Sequence, residues 1–134
     1  MADFEDLAAR ARDAARRSYS PYSGVRVGCA LETDEGVVFD GTNIENASFS
    51  VTMCAERVAL FKAVSEGARG VKRVFIWSDT GLLLPPCGAC LQVLSEWMAD
   101  GAEVTLLRED GEARTYAFRE LLPVDLSGLR NHLK

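Results

Sequence analysis

The sequence contains almost no histidine and no excess of basic charge, and both shortages restrict its function. Among 134 residues there is one histidine, and 15 lysines and arginines stand against 20 aspartates and glutamates, which gives a net charge of −5. A protein that binds nucleic acid neutralises phosphates with clustered basic side chains, and no such cluster stands out here. The histidine, His132, lies near the end of the sequence and is a poor candidate for a metal ligand. A nucleic-acid partner is therefore not expected.

Long hydrophobic runs are missing as well. No stretch approaches the roughly 18 consecutive apolar residues of a membrane-spanning helix. The first residues are acidic and lack the apolar segment of a secretory signal peptide. We therefore expect a cytoplasmic protein without a membrane partner. Its four cysteines would stay reduced in the cytosol, which favours metal binding over disulfides.

The composition and the apolar pattern predict the fold class. Hydrophobic residues make up 48% of the chain, and the length suits a single domain over residues 1–134. Helical and strand-like segments alternate after an opening hairpin, which favours an α/β sandwich with a mixed sheet of about five strands. The predicted helices cover residues 4–18, 54–66, 87–99 and 118–122, and the predicted strands cover residues 25–32, 37–39, 71–77 and 104–107.

Three of the cysteines form a pattern typical of a metal site. Cys54 lies two positions before Glu56, and Cys87 and Cys90 follow downstream, three positions apart. Zinc is tetrahedral, and a catalytic zinc ion keeps one of its four positions for water. The pattern therefore predicts one catalytic Zn²⁺ per subunit, held by three thiolates. Both segments are predicted to begin helices, where the positive end of the helix dipole lowers the pKa of a thiol.

Several longer motifs follow one another along nearly the whole chain. They are Tyr-Ser-Pro-Tyr-Ser at residues 19–23, Gly-Thr-Asn-Ile-Glu-Asn-Ala-Ser at 41–48, Cys-Ala-Glu-Arg at 54–57, Pro-Cys-Gly-Ala-Cys at 86–90 and Glu-Leu-Leu-Pro at 120–123. In this order they resemble the cytidine deaminase family, in its small form with three cysteine ligands. The resemblance implies a three-layer sandwich in which helices flank a mixed five-stranded sheet.

The resemblance also implies the activity and the assembly. The implied reaction is the zinc-dependent hydrolytic deamination of cytidine and 2′-deoxycytidine to uridine and 2′-deoxyuridine, with release of ammonia, in pyrimidine salvage. The implied assembly is a homotetramer whose sites are completed by neighbouring subunits. In the family, the residues that match Asn43 and Glu45 hold the ribose hydroxyls. We also expect the backbone N–H of Ala55, at a helix start, to contact the base.

Two side chains next to Cys54 complete the predicted chemistry. Glu56 is too close to Cys54 to bind the same ion easily, but it can face the fourth position of the metal. In zinc nucleobase deaminases such a glutamate is the general acid and base, so Glu56 is the predicted catalytic residue. It would move a proton from the water to ring N3 and then to the departing amine. Three thiolates and Zn²⁺ sum to −1, and we expect Arg57 to donate to the sulfurs and withdraw part of that charge.

Two positions depart from the family pattern. Val25 and Leu126 stand where close family members commonly carry aromatic residues that stack on or enclose the pyrimidine. The second of these reaches the site from a neighbouring subunit. Aliphatic side chains would still close the pocket but would select the base less strictly. The zinc chemistry is unaffected by either change.

Three other functions remain possible from the residues. A deaminase of a related compound, such as the blasticidin deaminases, has similar zinc motifs. A structural zinc knot would need a fourth protein ligand, and no suitably placed cysteine or histidine supplies one. A redox Cys-Gly-Ala-Cys motif would leave Cys54, Glu56 and the segment around Asn43 without a role. A thiol-blocking assay on protein that retains its zinc would separate this redox function from a deaminase.

Overall fold

The computed structural model describes residues 2–132 and contains one five-stranded sheet in the order β2-β1-β3-β4-β5. Strands β3 and β4 are parallel, and the other neighbours are antiparallel. The predicted mixed α/β sheet is confirmed. The strands are β1 (Val27–Thr33), β2 (Val38–Thr42), β3 (Val71–Ser78), β4 (Met98–Leu107) and β5 (Ala113–Ala117). The helices are α1 (Phe4–Ala15), α2 (Ala55–Ser65), α3 (Gly88–Ser95), α4 (Phe118–Leu121) and α5 (Leu129–His132), with a 3₁₀ turn at Phe49–Val51.

Helices cover both faces of the sheet. On one face Leu7 and Ala11 of α1 pack in a cluster with Ala30 and Phe75. On the other face α2 and α3 contribute to a larger cluster that includes Cys29, Leu31 and Ile76. All seven residues of β1 are buried because that strand lies between the two layers. The three-layer arrangement that the sequence predicts is therefore confirmed, and no helix among residues 2–132 is long and apolar enough to cross a membrane.

Two glycines allow the helices to lie directly on the sheet. A Cβ atom at Gly41 of β2 would come within 2.7 Å of the Ala55 carbonyl oxygen and within 2.5 Å of the Ala59 amide nitrogen, both in α2. A Cβ atom at Gly28 of β1 would meet the Ala11 carbonyl oxygen of α1 at 1.8 Å. Only glycine permits backbone contacts this close. The first turns of α2, where Glu56 lies, are thereby held against β2.

The end of α1 is the first difference from the predicted elements. Asp3 caps the helix as predicted, because its Oδ1 accepts from the Asp6 amide at 2.9 Å. The helix ends at Ala15 rather than at residue 18, since the amide of Tyr19 donates to the Asn43 carbonyl and that of Glu45 donates to the Tyr19 carbonyl. These bonds draw the chain away from the helical path. They also bring the segment 19–25 next to residues 43–45.

The second half of the sheet differs more. The helix predicted over residues 87–99 ends at Ser95, and the strand predicted over 104–107 begins at Met98. Pairing of Val71 with Met98 extends the strand, and Gly101, with φ of 80°, absorbs an irregularity in the register. Tertiary pairing here overrides local helix propensity. Strand β5 was not predicted, because it is a largely exposed edge strand without the apolar alternation that marks a half-buried strand.

A buried ion pair joins the amino-terminal segment to the sheet. Glu32 of β1 has no exposed surface, and its Oε1 accepts from Arg73 of β3 at 2.6 and 2.9 Å. The Ala2 amide donates to the other carboxylate oxygen at 3.2 Å, and Lys72 lies at 4.0 Å. Burial by itself would raise the pKa of Glu32, but the hydrogen bonds and charges of these neighbours hold it below its usual value. Glu32 therefore remains ionised inside the protein.

Candidate zinc and nucleoside site

The starts of two helices bring three thiols together. Cys54 is the residue before α2, Cys87 is the residue before α3, and Cys90 lies in the first turn of α3. Their three sulfur atoms lie within 4.8 Å of one another. The Cys87 sulfur also accepts from the Cys90 amide at 3.5 Å, which fixes its direction at the helix start. The sequence placed these residues correctly because a spacing of three brings two side chains onto one helical turn.

The thiols of Cys54 and Cys90 change each other's pKa values. A hydrogen bond from Cys90, opposed by burial and reinforced by Arg57, lowers the pKa of Cys54 to about 5. The pKa of Cys90 is raised, first by that same hydrogen bond with Cys54 and then by burial. Cys54 is therefore the thiol of this pair that loses its proton more readily. The thiolate is the form of cysteine that binds a metal ion.

The donor set fits zinc. Zinc binds cysteine sulfur at about 2.3 Å, and tetrahedral angles then place two sulfurs about 3.8 Å apart. The observed limit of 4.8 Å requires only a small adjustment. Three soft sulfur donors favour zinc over magnesium or calcium, which prefer oxygen. A set of three protein ligands also leaves one position of a tetrahedral ion for water or substrate.

Arg57 lies against this group as predicted. Its Nη2 donates to the Cys54 sulfur at 3.3 Å, and its buried Nε has no hydrogen-bond partner among the residues that the structure describes. The hydrogen bond to Cys54, ahead of smaller contributions from Cys90, raises the pKa of the guanidinium above its usual value. The contact follows from the helical spacing of three between the two residues.

Glu56 lies beside the thiols and is buried, with 5% of its surface exposed. Burial raises the pKa of its carboxyl to about 7, and the charge of Cys54 acts in the same direction, whereas Arg57 opposes the rise. A carboxyl group with a pKa near neutrality can both accept and donate a proton. The side chain lines the same cavity as Cys54 and Cys87.

This cavity has a volume of about 280 Å³, close to the lower end of small-molecule pockets. Every predicted ligand and substrate residue lines it except Cys90, which is fully buried. Sequence reasoning missed most of the apolar wall, since wall residues come from separate strands and loops without a common pattern. The lining residues are Ser23, Val25, Val27, Asn43, Glu45, Thr52, Met53, Cys54, Ala55, Glu56, Ile76, Leu84 and Cys87.

Asn43 is already held on three sides by the protein. Its Oδ1 accepts from the Ser18 hydroxyl at 2.6 Å and from the Val27 amide at 3.0 Å. Its Nδ2 donates to the Val25 carbonyl at 2.8 Å. The two backbone partners fix which end of the amide is oxygen, because one only donates and the other only accepts. One N–H of the amide remains for a ligand.

Glu45 is held by the loop that precedes β1. Its Oε1 accepts from the amides of Tyr22 at 3.0 Å and Ser23 at 3.1 Å, and its Oε2 accepts from the Ser23 hydroxyl at 2.5 Å. The hydroxyl and amide bonds from Ser23, together with the Tyr22 amide, lower the pKa of the carboxyl despite its burial. Ser23 belongs to the motif at residues 19–23, which was the available sequence signal, but no role was predicted for it.

The remaining predicted positions differ in their surroundings. Ala55 is buried at the first position of α2, where backbone amides have no partner within the helix. Val25 lies in the loop before β1 and forms part of the cavity wall. Leu126 is 66% exposed, and its amide donates to Gln92 Oε1 at 3.3 Å. Leu126 is not part of the cavity within one chain.

Comparison with known proteins places this site in a family. The family described as "Cytidine and deoxycytidylate deaminase zinc-binding region" matches residues 1–105. A protein of Halalkalibacterium halodurans named cytidine deaminase is 45% identical over 121 residues, which is 90% of this chain and 92% of that protein. A cytidine deaminase of Sporosarcina psychrophila is 41% identical, over 90% of this chain and 89% of that protein.

Solved structures agree with the sequence relatives. The crystal structure of a cytidine deaminase from Burkholderia pseudomallei superposes with a TM-score of 0.88 at 38% identity, and covers 92% of this chain and 99% of that one. The predicted family, the fold and the zinc cofactor are confirmed by these comparisons and by the three-thiol group. The chain belongs to the cytidine and deoxycytidylate deaminase family.

Proposed function

We propose that the chain catalyses the hydrolytic deamination of cytidine and 2′-deoxycytidine, with residues 1–134 acting as a single catalytic domain. The observation that carries this proposal is that Glu56 and two thiols of the metal group line the same cavity as Asn43 and Glu45. The cavity thus offers both a proton-transfer group and polar groups for a sugar. Family membership supports the same reaction.

Cys54, Cys87 and Cys90 would hold the zinc ion, and Arg57 would draw charge from the Cys54 sulfur. When bound, zinc lowers the pKa of water and so supplies a nucleophile at neutral pH. Arg57 counters the negative charge of three thiolates, which would otherwise weaken the metal as a Lewis acid. Such outer partners commonly contribute 10–100-fold to metal affinity or activity.

Glu56 would carry the protons of the reaction. Its carboxylate accepts one proton from water as the oxygen attacks C4 of the base, and delivers it to ring N3. A second proton from the same water then passes to the amine, which leaves as ammonia. Water and cytidine are thereby converted to uridine and ammonia, and Glu56 returns to its starting state. The buried position of Glu56 keeps its carboxyl away from bulk water, which helps it to hold a proton between the two transfers.

The hydrogen bonds of Asn43 and Glu45 support a sugar site that accepts both nucleosides. Asn43 keeps one free N–H, and Glu45 Oε2 keeps acceptor capacity beside its bond from Ser23. One hydroxyl group can accept from the first and donate to the second. A hydroxyl that cytidine and 2′-deoxycytidine share would satisfy both residues, so that a 2′-hydroxyl is not required. The Ala55 amide, at the start of α2, remains free to contact the base.

We also propose a homotetramer in which neighbouring copies close the cavity. Tyr22, Phe49 and Val51 are 49%, 63% and 58% exposed near the cavity mouth, and Tyr22 packs edge to face on Phe49 with 5.7 Å between ring centres. Exposed apolar side chains that cluster in this way favour a protein interface. The test is light scattering of purified protein, where a monomer at micromolar concentration would contradict the proposal.

The proposed location is the cytoplasm, and the proposed partner is a free nucleoside rather than a nucleic acid. Three free thiols are required for zinc, and these persist in a reducing compartment. The net charge of −5 gives no attraction to phosphate chains. Cell fractionation tests the location, and addition of single-stranded DNA to a cytidine assay tests the partner, with no inhibition expected.

The decisive experiment measures ammonia released from zinc-loaded protein with cytidine, and compares it with Glu56→Ala and with Glu66→Gln. Glu66 lies at the other end of α2 and is exposed, so its variant is the matched control. We expect turnover by the wild type and the control, and none by Glu56→Ala with zinc retained. No turnover by fully zinc-loaded wild type would overturn the proposal and direct the assay to related amino-heterocycles such as blasticidin.

A further inference from the structure

In the loop 19–25, the hydroxyl of Ser23 accepts one hydrogen bond and donates another to Glu45. Ser23 Oγ accepts from the Val25 amide at 3.0 Å, so its own proton is free to donate, and Glu45 Oε2 receives it at 2.5 Å. The same residue donates its backbone amide to Glu45 Oε1 at 3.1 Å. Ser23 therefore contacts both oxygens of one carboxylate, and it lines the cavity beside that carboxylate.

These bonds fix the orientation of the Glu45 carboxylate and determine which of its acceptor positions remain open to a ligand. Two amides occupy Oε1, and the serine hydroxyl occupies one side of Oε2, so the carboxylate cannot rotate without breaking all three bonds. The free acceptor direction is the remaining side of Oε2. The same hydroxyl fixes Val25, the next apolar residue of the cavity wall, through its amide.

We propose that Ser23 is a positioning residue which directs the free acceptor of Glu45 toward the sugar hydroxyl of the substrate. The inference rests on the proposed nucleoside function. It assigns Ser23 no contact with the reacting atoms and no part in proton transfer. It differs from a general structural role because the hydroxyl donates to one oxygen atom of Glu45, so that loss of this bond weakens the contact with one substrate hydroxyl. Loss of the bond from the Val25 amide, by contrast, would affect cytidine and its deoxy analogues equally.

The kinetic test compares cytidine with its 3′-deoxy and 5′-deoxy analogues in wild type, Ser23→Ala and Ser23→Thr. The analogue that loses most activity with wild type identifies the hydroxyl that Glu45 contacts. We expect Ser23→Ala to lower kcat/KM for cytidine about 10–100-fold, mainly through KM, and to change that analogue less than threefold. Ser23→Thr, which keeps the hydroxyl, should restore most of the loss. An equal decrease for cytidine and both analogues would overturn the proposal.

Ser65→Ala is the matched control, since Ser65 is exposed at the end of α2, outside the cavity lining, and its hydroxyl donates to the Lys62 carbonyl at 3.2 Å. Its kinetics should match those of the wild type. A second comparison places Ser23→Ala in a Glu45→Gln background, where it should have little further effect on cytidine. A full additional loss there would show that Ser23 acts by another route and would contradict the proposal.

A measurement that needs no turnover separates this proposal from the proposed function. Carbon-13 NMR of labelled glutamate side chains, with Glu45→Gln to identify the signal, follows the ionisation of Glu45 directly. Loss of the Ser23 hydroxyl should raise the pKa of Glu45 toward that of a free glutamate, because the strongest hydrogen bond to its charged form is gone. An unchanged pKa would overturn the positioning role even in a protein that proved inactive on cytidine, whereas a raised pKa would support it.

Discussion

Two buried glutamates, Glu32 and Glu56, show how one residue type serves two purposes in this protein. Both expose 5% of their surface or less. Glu32 is surrounded by Arg73, Lys72 and the Ala2 amide, and its pKa is lowered. Glu56 lies beside the Cys54 sulfur, and its pKa is raised to about 7. Burial raises the pKa of both carboxyls, and only around Glu32 do the neighbouring cations and donors outweigh it. The neighbours thus decide whether a buried carboxyl is fixed as an ion or remains able to exchange a proton.

The arginines explain much of this difference. Arg73 directs its guanidinium to Glu32, whereas Arg57, the residue next to Glu56, directs its Nη2 to the Cys54 sulfur at 3.3 Å. Arg57, the cation nearest to Glu56 in the sequence, therefore interacts with a predicted metal ligand and not with Glu56. Glu56 is left in an apolar wall, and no cation among residues 2–132 is bonded to its carboxyl as Arg73 is to that of Glu32.

The largest expected effect comes from removing the charge of each glutamate in turn. Glu56→Gln should lower kcat for cytidine by about 10²–10⁴-fold or more, because it removes the proton carrier. The same variant should unfold at a temperature equal to or above that of the wild type, since a buried ionisable group is lost. Steady-state kinetics and calorimetry on zinc-loaded protein measure both quantities. Retained turnover would show that the proton passes through another group.

Glu32→Gln should have the opposite profile. It leaves Arg73 partly buried without its carboxylate, and we expect a loss of about 2–3 kcal/mol in the free energy of unfolding. The kcat of the folded protein should stay within twofold of the wild type. Urea titrations measure the loss, with Glu35→Gln as an exposed control on the neighbouring turn. If stability were unchanged, the ion pair would contribute nothing beyond a neutral hydrogen bond.

A smaller effect is expected at Arg57, which interacts with the Cys54 sulfur and leaves Glu56 without a cation. Arg57→Ala should lower turnover or zinc affinity about 10–100-fold, because the Cys54 sulfur loses a donor and the bound metal becomes a weaker Lewis acid. The pH profile of kcat should shift to higher pH, since water on a weaker Lewis acid loses its proton less readily. Chelator competition and pH-dependent kinetics test this, with Arg69→Ala as an exposed control. An unchanged profile and affinity would remove Arg57 from the chemistry.

The smallest expected effect is a difference in the pH dependence of stability. The pKa of Glu32 is lower in the folded protein than in the unfolded chain, so its stabilising contribution is complete above the unfolded value of about 4.3. This contribution is lost as pH falls through the folded value. The gap in unfolding free energy between wild type and Glu32→Gln should therefore be constant from pH 7 to 5.5 and should narrow toward pH 3. A gap that stayed constant down to pH 3 would contradict a lowered pKa.

The sequence predicted contacts within one helical turn better than contacts across the fold. Cys87 with Cys90, and Cys54 with Arg57, are three apart on helix starts, and their proximity follows from helical geometry. The pair of Glu32 and Arg73 joins two strands 41 positions apart, and no local pattern indicates it. Strand register decides such contacts, and register depends on the whole sheet.

The substrate side of the cavity was predicted only in outline. The motif at 41–48 pointed to Asn43 and Glu45, but not to the donors that occupy most of their hydrogen-bonding atoms. Apart from the Val27 amide of β1, those donors belong to the segment 18–25, which follows the end of α1 at Ala15 and pairs with residues 43–45. The early end of α1 and the long β4 strand were missed for the same reason. In both places tertiary hydrogen bonds override a local helical preference.

The close packing of α2 on β2 limits which residues position 41 can accept. This position lies in β2, outside the cavity, and a Cβ atom there would meet the backbone of α2 at 2.5 and 2.7 Å. Even alanine would have to lift the helix that begins with Cys54 and Glu56, and a displacement near 1 Å at a reacting group can cost about 10²-fold in rate. Substitutions at residue 41 would therefore appear as catalytic defects, although the residue touches neither substrate nor metal. A survey limited to residues that touch substrate or metal would overlook them.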